Sequence, residues 1–240
     1  PALIRPSEYG ADIVIHSATK LLCGNGTAMA GIAVDAGTFQ FLGNPRFPQY
    51  NSPDPSYHGM VFARDCGNAA FITRLRALML RDIGCCLPAF NAFLILNGIE
   101  TLSLRMRKHS DNALAVAKFL EANPRVAFVN HPGLDSSPYK KLADKYLPKG
   151  CGGVFTFGVK GGREEGAKFI DSLRLLMNVA NVGDTRSMVI HPATTTHSQL
   201  TDEQLRQSGI SSQTIRISVG IEDVEDITAD LDQALLAAVG

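Results

Sequence analysis

The stretch Asp12-Ile-Val-Ile-His-Ser-Ala-Thr-Lys20 ends a short β-branched run on a lysine preceded by two hydroxyl residues. An amine in that position can form a Schiff base with a cofactor aldehyde. Ser17 and Thr19 can donate hydroxyl hydrogen bonds to a cofactor phosphate, and the backbone N–H groups near Gly24 and Gly26 can add an anion-binding nest. The same residues also fit a plainer reading, a strand-end lysine that faces solvent. A second candidate is Arg216, which shares the polar side of an alternating stretch with Thr214 and Ser218, while Ile215, Ile217 and Val219 take the apolar side. A guanidinium there can grip a carboxylate bidentately, or simply face water. His191 and His197 flank a Thr-rich loop, residues 192–196, that suits a polar active-site wall and a surface loop equally well.

Several familiar chemistries fail on spacing. Gly24-Asn-Gly26 would open a G-x-G-x-x-G loop only with glycine at position 29, where Met29 stands, and no P-loop pattern exists. The histidines at 16, 58, 109, 131, 191 and 197 form no H-E-x-x-H and no helical i, i+4 pair, so no metal site is expected. A G-x-S-x-G nucleophile elbow is also absent.

The elements that must hold these residues alternate between strand and helix. Residues 11–15 read as a buried strand that delivers the lysine, and 30–35 as a second strand beyond a glycine-bearing turn. Residues 43–59, with Pro45, Pro48, Pro53 and Pro55, read as an irregular functional loop or linker. From 61 to about 123 the pattern is mainly helical, with Ala113, Val116, Ala117 and Leu120 on one face and Pro124 after the stop. Strands follow at 126–129, 154–159, 187–190 and 214–219, and Phe169, Ile170, Leu173, Leu176 and Met177 mark a helix. Thr201-Asp-Glu-Gln204 is a capping box, and a final helix begins among Glu222, Asp223, Glu225 and Asp226. This is an α/β pattern. The expected boundary lies near 110–125, giving parts 1–115 and 116–240.

The 240 residues carry 23 Lys+Arg against 23 Asp+Glu, a balance that excludes a non-specific nucleic-acid binder. Hydrophobic residues at 45% and charged residues at 19% indicate a folded chain. The longest apolar candidate, 85–99, contains Pro88, Asn91 and Asn97 and is too short to span a bilayer, so no membrane partner is expected. The first residues lack the basic start and apolar core of a signal peptide. Five cysteines in an odd, irregular set without C-x-x-C argue for a reducing, cytoplasmic setting. The vicinal pair Cys85-Cys86 reads as small buried hydrophobes, with redox activity the less ordinary alternative.

Three ordered stretches together resemble the Cys/Met-metabolism family of pyridoxal-phosphate enzymes. They are Gly10 to Lys20, Asn97-Gly-Ile-Glu-Thr-Leu-Ser-Leu-Arg-Met106, and Ile215-Arg-Ile-Ser-Val-Gly-Ile-Glu222. Within the family, Pro53 to Gly59, Gly98 to Leu102, Asn181-Val-Gly-Asp-Thr-Arg-Ser187 and Ile190 to His197 resemble the γ-replacing members more than the cystathionine enzymes. The resemblance implies the type I pyridoxal-phosphate-dependent transferase fold, here the end of the large cofactor domain in 1–115 and a C-terminal α/β domain in 116–240. It also implies that the chain corresponds to the C-terminal portion of the family. The aromatic ring that stacks on the cofactor and the aspartate that pairs with its ring nitrogen precede the lysine in that family and have no counterpart here.

The resemblance further implies that Lys20 holds pyridoxal 5'-phosphate as a Schiff base and moves protons, with Ser17 and Thr19 on the phosphate. Arg216 would bind the substrate α-carboxylate, assisted by the backbone around Ser187. The implied reaction is γ-replacement: O-acetylhomoserine loses acetate and gains sulfide or a small thiol, giving homocysteine or methionine. A γ-lyase of the same family, or a catalytically silent assembly subunit, are the alternatives. Expected partners are a small amino-acid substrate, a sulfide or thiol, and further copies in a homotetramer. One departure is Asn25, where family members commonly carry histidine between the two glycines.

Overall fold

The β-branched residues of Ile13–Ser17 (β1) and Gly31–Asp35 (β2) pair as an antiparallel ladder, Ile13 opposite Asp35 and Ser17 opposite Gly31. The computed structural model describes residues 1–240, which divide into two units. Arg5–Thr19 and Ala28–Ile95 form the first; Pro1–Ile4, Lys20–Thr27 and Leu96–Gly240 form the second. β1 begins two residues later than its β-branched pattern indicates. The 3₁₀ turn Pro6–Tyr9 ends on Gly10 at φ +92, so extended backbone starts only after that left-handed residue. The strand is not buried as expected: Ile15 is 68% exposed, because a two-stranded ladder leaves part of its surface uncovered.

In the same unit, residues 43–59 are anchored rather than structureless. Asn51, in the short helix Pro48–Asn51 (α1), donates to the carbonyls of Phe41 (2.9 Å) and Phe47 (3.0 Å) and accepts from the Gly43 amide (2.8 Å). Above this turn Phe41 stacks on Tyr50 with centroids 4.2 Å apart, Phe39 and Phe47 close the cluster, and the Arg74 guanidinium lies over the Tyr50 ring. The helical stretch after residue 61 is real but broken. It comprises Phe62–Cys66 (α2), Ala70–Arg74 (α3), a π-wound segment Leu75–Ile83, and Ala89–Glu100 (α4), which crosses the division at 95/96. Gly84 at φ +79 and Pro88 interrupt it, since neither continues a helix. Cys85 and Cys86 fall on this break and are exposed, which corrects their reading as core residues.

The second unit is a layered α/β structure. Strands Val126–Asn130 (β3), Val154–Val159 (β4), Met177–Asn178 (β5), Met188–Ile190 (β6) and Thr214–Ser218 (β7) form one sheet in the order β3-β4-β7-β6-β5. Only β5 and β6 run parallel. Helices Leu102–Ala122 (α5), Lys140–Tyr146 (α6), Arg163–Ser172 (α7), Asp202–Gln207 (α8) and Val224–Val239 (α9) accompany it. Val116 and Leu120 of α5, Phe169 of α7, and Ile227, Leu231 and Leu235 of α9 share a fully buried core with Phe157, Ile215 and Ile217 of the sheet. Each such side chain contributes about 1.5–3 kcal/mol of burial. The 3.6-residue spacing on α9 and the period of two on β7 therefore meet at one layer. The capping box also forms: Thr201 Oγ1 accepts from the Gln204 amide, and Gln204 Oε1 accepts from the Thr201 amide at 2.9 Å.

The expected boundary between 115 and 116 falls inside α5. One helix is shorter than its apolar spacing indicates. α7 stops at Ser172, and Leu173, Leu176 and Met177 lie beyond it. The Asp230 carboxylate of α9 accepts the amides of Arg174 (2.9 Å), Leu175 (2.8 Å) and Leu176 (3.0 Å), replacing the carbonyls that a continuing helix would supply. No helix in the chain is long and apolar enough to cross a membrane.

Candidate active site

Lys20 opens its stretch of the second unit, in a one-turn segment where its own backbone is non-helical (φ −86, ψ −125). Its Nζ donates to Asn181 Oδ1. The guanidinium of Arg216 donates to the main-chain carbonyl of the same residue at 3.2 Å. Two side chains separated by most of the chain therefore converge on Asn181. The lysine takes its side chain and the arginine its backbone. Both cations are half-buried, so an anionic group there meets two positive charges in a partly desolvated setting.

The strands explain this convergence. β7 turns Ile215 and Ile217 into the core and sends Arg216 out of the opposite side, while Ser218 on that side accepts the Gly183 amide at 3.0 Å. Gly183 (φ +79) lies so close to the lysine stem that a Cβ there would stand 3.0 Å from Lys20 Cβ. Further along the segment, Thr185 donates its amide to the Gly24 carbonyl at 2.8 Å.

Ser187 is buried and fully engaged. Its amide donates to Glu222 Oε1 (2.5 Å) and its hydroxyl to Glu222 Oε2 (2.9 Å), while the Gly220 amide donates to its Oγ (2.8 Å). An internal carboxylate thus holds the very amide expected to face a substrate carboxylate. The glycine loop also differs from an open nest. Gly24 and Gly26 have positive φ, but a Cβ on Gly26 would meet Asp184 Oδ2 at 3.0 Å. Burial works to raise the Asp184 carboxyl, yet hydrogen bonds and charge from Arg186 outweigh it and hold the group below the usual carboxylate range. It stays anionic, which disfavours a second anion at that turn. Asn25 is exposed.

Ser17 and Thr19 belong to the first unit. Ser17 is exposed in β1. The Thr19 hydroxyl closes the hairpin, accepting the Ala30 amide at 3.0 Å and donating to the Ala30 carbonyl at 3.3 Å. Its single proton points to a long acceptor, so it can be redirected by a small rotation.

His191 is fully buried, with Nδ1 on Thr194 Oγ1 and Nε2 on the Ser212 carbonyl, and burial lowers its pKa. It supports the Thr-rich loop, whose residues Thr194, Thr195 and Thr196 are exposed. Asn181, Arg105 and Glu222 hold these groups in the packed chain, yet none of the three stands out in the sequence taken residue by residue. All three lie inside the stretches that carry the family resemblance, but nothing in their local pattern distinguishes them from ordinary polar positions.

A lysine and an arginine thus meet at one polar residue on an α/β scaffold. The model of the Cys/Met metabolism PLP-dependent enzyme family matches residues 1–236, and the chain belongs to that family. It is 50% identical over 237 residues to a homocysteine synthase of Schizosaccharomyces pombe, covering 98% of this chain and 55% of the relative. Identity to an O-acetyl-L-homoserine sulfhydrylase of Leptospira meyeri is 46%, with 98% and 55% covered. Among solved structures it superimposes with a TM-score of 0.90 and 40% identity on a Campylobacter jejuni protein named as an O-acetylhomoserine (thiol)-lyase, solved with N'-pyridoxyl-lysine-5'-monophosphate. That match covers 98% of this chain and 56% of the other. The fold is the type I pyridoxal-phosphate-dependent α/β architecture that the motifs indicated. The chain spans about half the length of the curated relatives it matches.

Proposed function

We propose that this chain carries the lysine-bearing part of a γ-replacement enzyme that uses pyridoxal 5'-phosphate to convert O-acetylhomoserine and sulfide, or a small thiol, into homocysteine or methionine and acetate. The observation that carries the reading is the convergence of Lys20 and Arg216 on Asn181. The residues fit the cofactor: a primary amine for its aldehyde, a guanidinium hydrogen-bonded to the same residue as that amine for a substrate carboxylate, and glycine where a Cβ would crowd the lysine stem. When bound, the cofactor supplies the electron sink for chemistry at the substrate's α and β carbons.

Lys20 holds the cofactor and then moves protons, with Asn181 Oδ1 fixing where Nζ sits between transfers. Arg216 binds the α-carboxylate, anchored by a backbone carbonyl and therefore insensitive to the side chain at 181. Ser187, wholly buried with its amide and hydroxyl fixed by Glu222, acts from behind the substrate: its part is to hold the backbone there in place rather than to donate. Ser17 and Thr19 bind the phosphate; for Thr19 this means rotating its O–H away from Ala30. The division into 1–115 and 116–240 describes the complete enzyme's large domain and C-terminal domain. That enzyme works in the cytoplasm as a homo-oligomer, a tetramer by resemblance.

Borohydride reduction of the full-length protein with pyridoxal phosphate, followed by peptide mapping, is expected to place the adduct on Lys20 and to fail in Lys20→Ala. Supplying O-acetylhomoserine with and without sulfide then separates replacement from elimination. Rapid oxo-acid release without sulfide would assign the γ-lyase reaction instead. Arg216→Ala is expected to raise the KM for O-acetylhomoserine far more than it weakens cofactor binding, and unchanged saturation would remove Arg216 from the site.

A further inference from the structure

Arg105 is an unusual cation. It is 7% exposed, and its hydrogen bonds all run to uncharged oxygens. Nε donates to Thr101 Oγ1 (3.1 Å), Nη1 to the Leu21 carbonyl (2.9 Å), and Nη2 to the carbonyls of Gly98 (2.6 Å) and Leu22 (3.4 Å). Burial accordingly lowers its pKa, which is the cost of holding a charge on dipoles alone. Such a cost is tolerated where a rigid, forked donor is needed, and guanidinium is the one side chain that offers it.

Two of the four acceptors belong to the residues immediately after Lys20. Packing locks the same short turn from other directions. A Cβ on Gly24 would stand 2.5 Å from Arg105 Nη1, so only glycine at that position, in its left-handed conformation, leaves room for the guanidinium. A Cβ on Gly98 would overlap the Cys23 carbonyl oxygen and approach that of Leu22 at 2.7 Å, so α4 touches the turn backbone to backbone. The Gly24 amide donates back to the Lys20 carbonyl at 2.8 Å, closing the turn on the lysine itself.

We propose that Arg105 is a positioning residue for Lys20: its guanidinium clamps the Leu21 and Leu22 carbonyls and so fixes the direction from which the lysine amine enters the site. Arg105 does not touch the reacting atoms. It acts through two peptide groups, and Gly24 and Gly98 are the spaces that make the clamp possible. This rests on Lys20 as the cofactor-bearing residue.

The test compares full-length holoenzyme carrying Arg105→Ala or Arg105→Lys with wild type. Readouts are pyridoxal-phosphate affinity, the visible circular dichroism of the bound cofactor, and far-ultraviolet circular dichroism as a check on folding. Lysine keeps the charge but cannot hold two carbonyls in a fixed fork. Arg105→Lys is therefore expected to weaken cofactor binding about tenfold, the equivalent of one lost hydrogen bond from a charged donor. It is also expected to reduce the visible dichroism with an unchanged far-ultraviolet spectrum. Arg105→Ala is expected to do more in both respects. If Arg105→Ala does not fold, Arg105→Lys carries the comparison. Wild-type cofactor affinity and visible dichroism in a folded variant would overturn the positioning role. Absence of a borohydride-trapped adduct on Lys20 in the wild type would instead overturn the reading on which it rests.

Discussion

Replacing Asp230 with alanine tests how the second unit presents its site. The carboxylate accepts three consecutive amides, from Arg174, Leu175 and Leu176, and also takes the Gln233 side chain at 3.0 Å. Arg174 and Leu175 are exposed, so water can replace the carboxylate at those amides, and each loss costs about 1 kcal/mol. Leu176 is buried, and its amide would be left without a partner at a cost of about 1–3 kcal/mol. Asp230→Ala should therefore destabilise the chain by roughly 3–5 kcal/mol. Asp230→Asn keeps one accepting oxygen and should cost about half as much. The damage also has a direction. Residues 174–176 lead into β5 and then to Asn181, so loosening them should also loosen the residue that Lys20 and Arg216 share. Urea denaturation followed by far-ultraviolet circular dichroism gives the stability change from the midpoint, at a slope shared by all variants. A loss below about 1 kcal/mol for Asp230→Ala, or an alanine variant as stable as the asparagine one, would refute this account of why α7 ends at Ser172.

Two further outcomes follow from buried groups and close approaches. Burial lowers the pKa values of His109, His131 and His191, and each is held neutral in the folded chain. His109 feels added repulsion from Arg105, and His131 Nε2 is buried without a partner. Below about pH 6.5 the unfolded chain binds protons that the folded chain refuses, so stability falls as pH drops, by up to ~4 kcal/mol per pH unit while all three differ. Denaturation midpoints at neutral and mildly acidic pH should show this, and an unchanged slope in His131→Phe would remove that residue from the effect. Gly98→Ala should destabilise the chain although alanine favours helix by about 1 kcal/mol, because its Cβ would strike the Leu22 and Cys23 carbonyls. A stabilised variant in thermal melts would show that α4 does not approach the turn so closely.

The amino-acid pattern alone identified the lysine segment, the alternating β7, the capped α8 and the amphipathic α9, because each is written in a local period or a cap that needs no distant partner. It also carried the family resemblance, and with it the type I fold and the cofactor. Other features depended on groups far apart in the chain. α7 ends where Asp230, more than fifty residues later, satisfies its next amides better than helix carbonyls can. Arg105 looks like any helix-surface arginine until α5 brings it against the carbonyls after Lys20. Ser187 looks like an available donor until Glu222 occupies it. Asn181 has no motif of its own; it matters because β7 and the lysine turn place a guanidinium and an amine on its two oxygens. Hydrophobic period is set by neighbours three or four residues away, so sequence shows it. The pairing of buried polar groups is set by whichever donor or acceptor the packed chain brings within hydrogen-bond distance, and only the tertiary structure decides that.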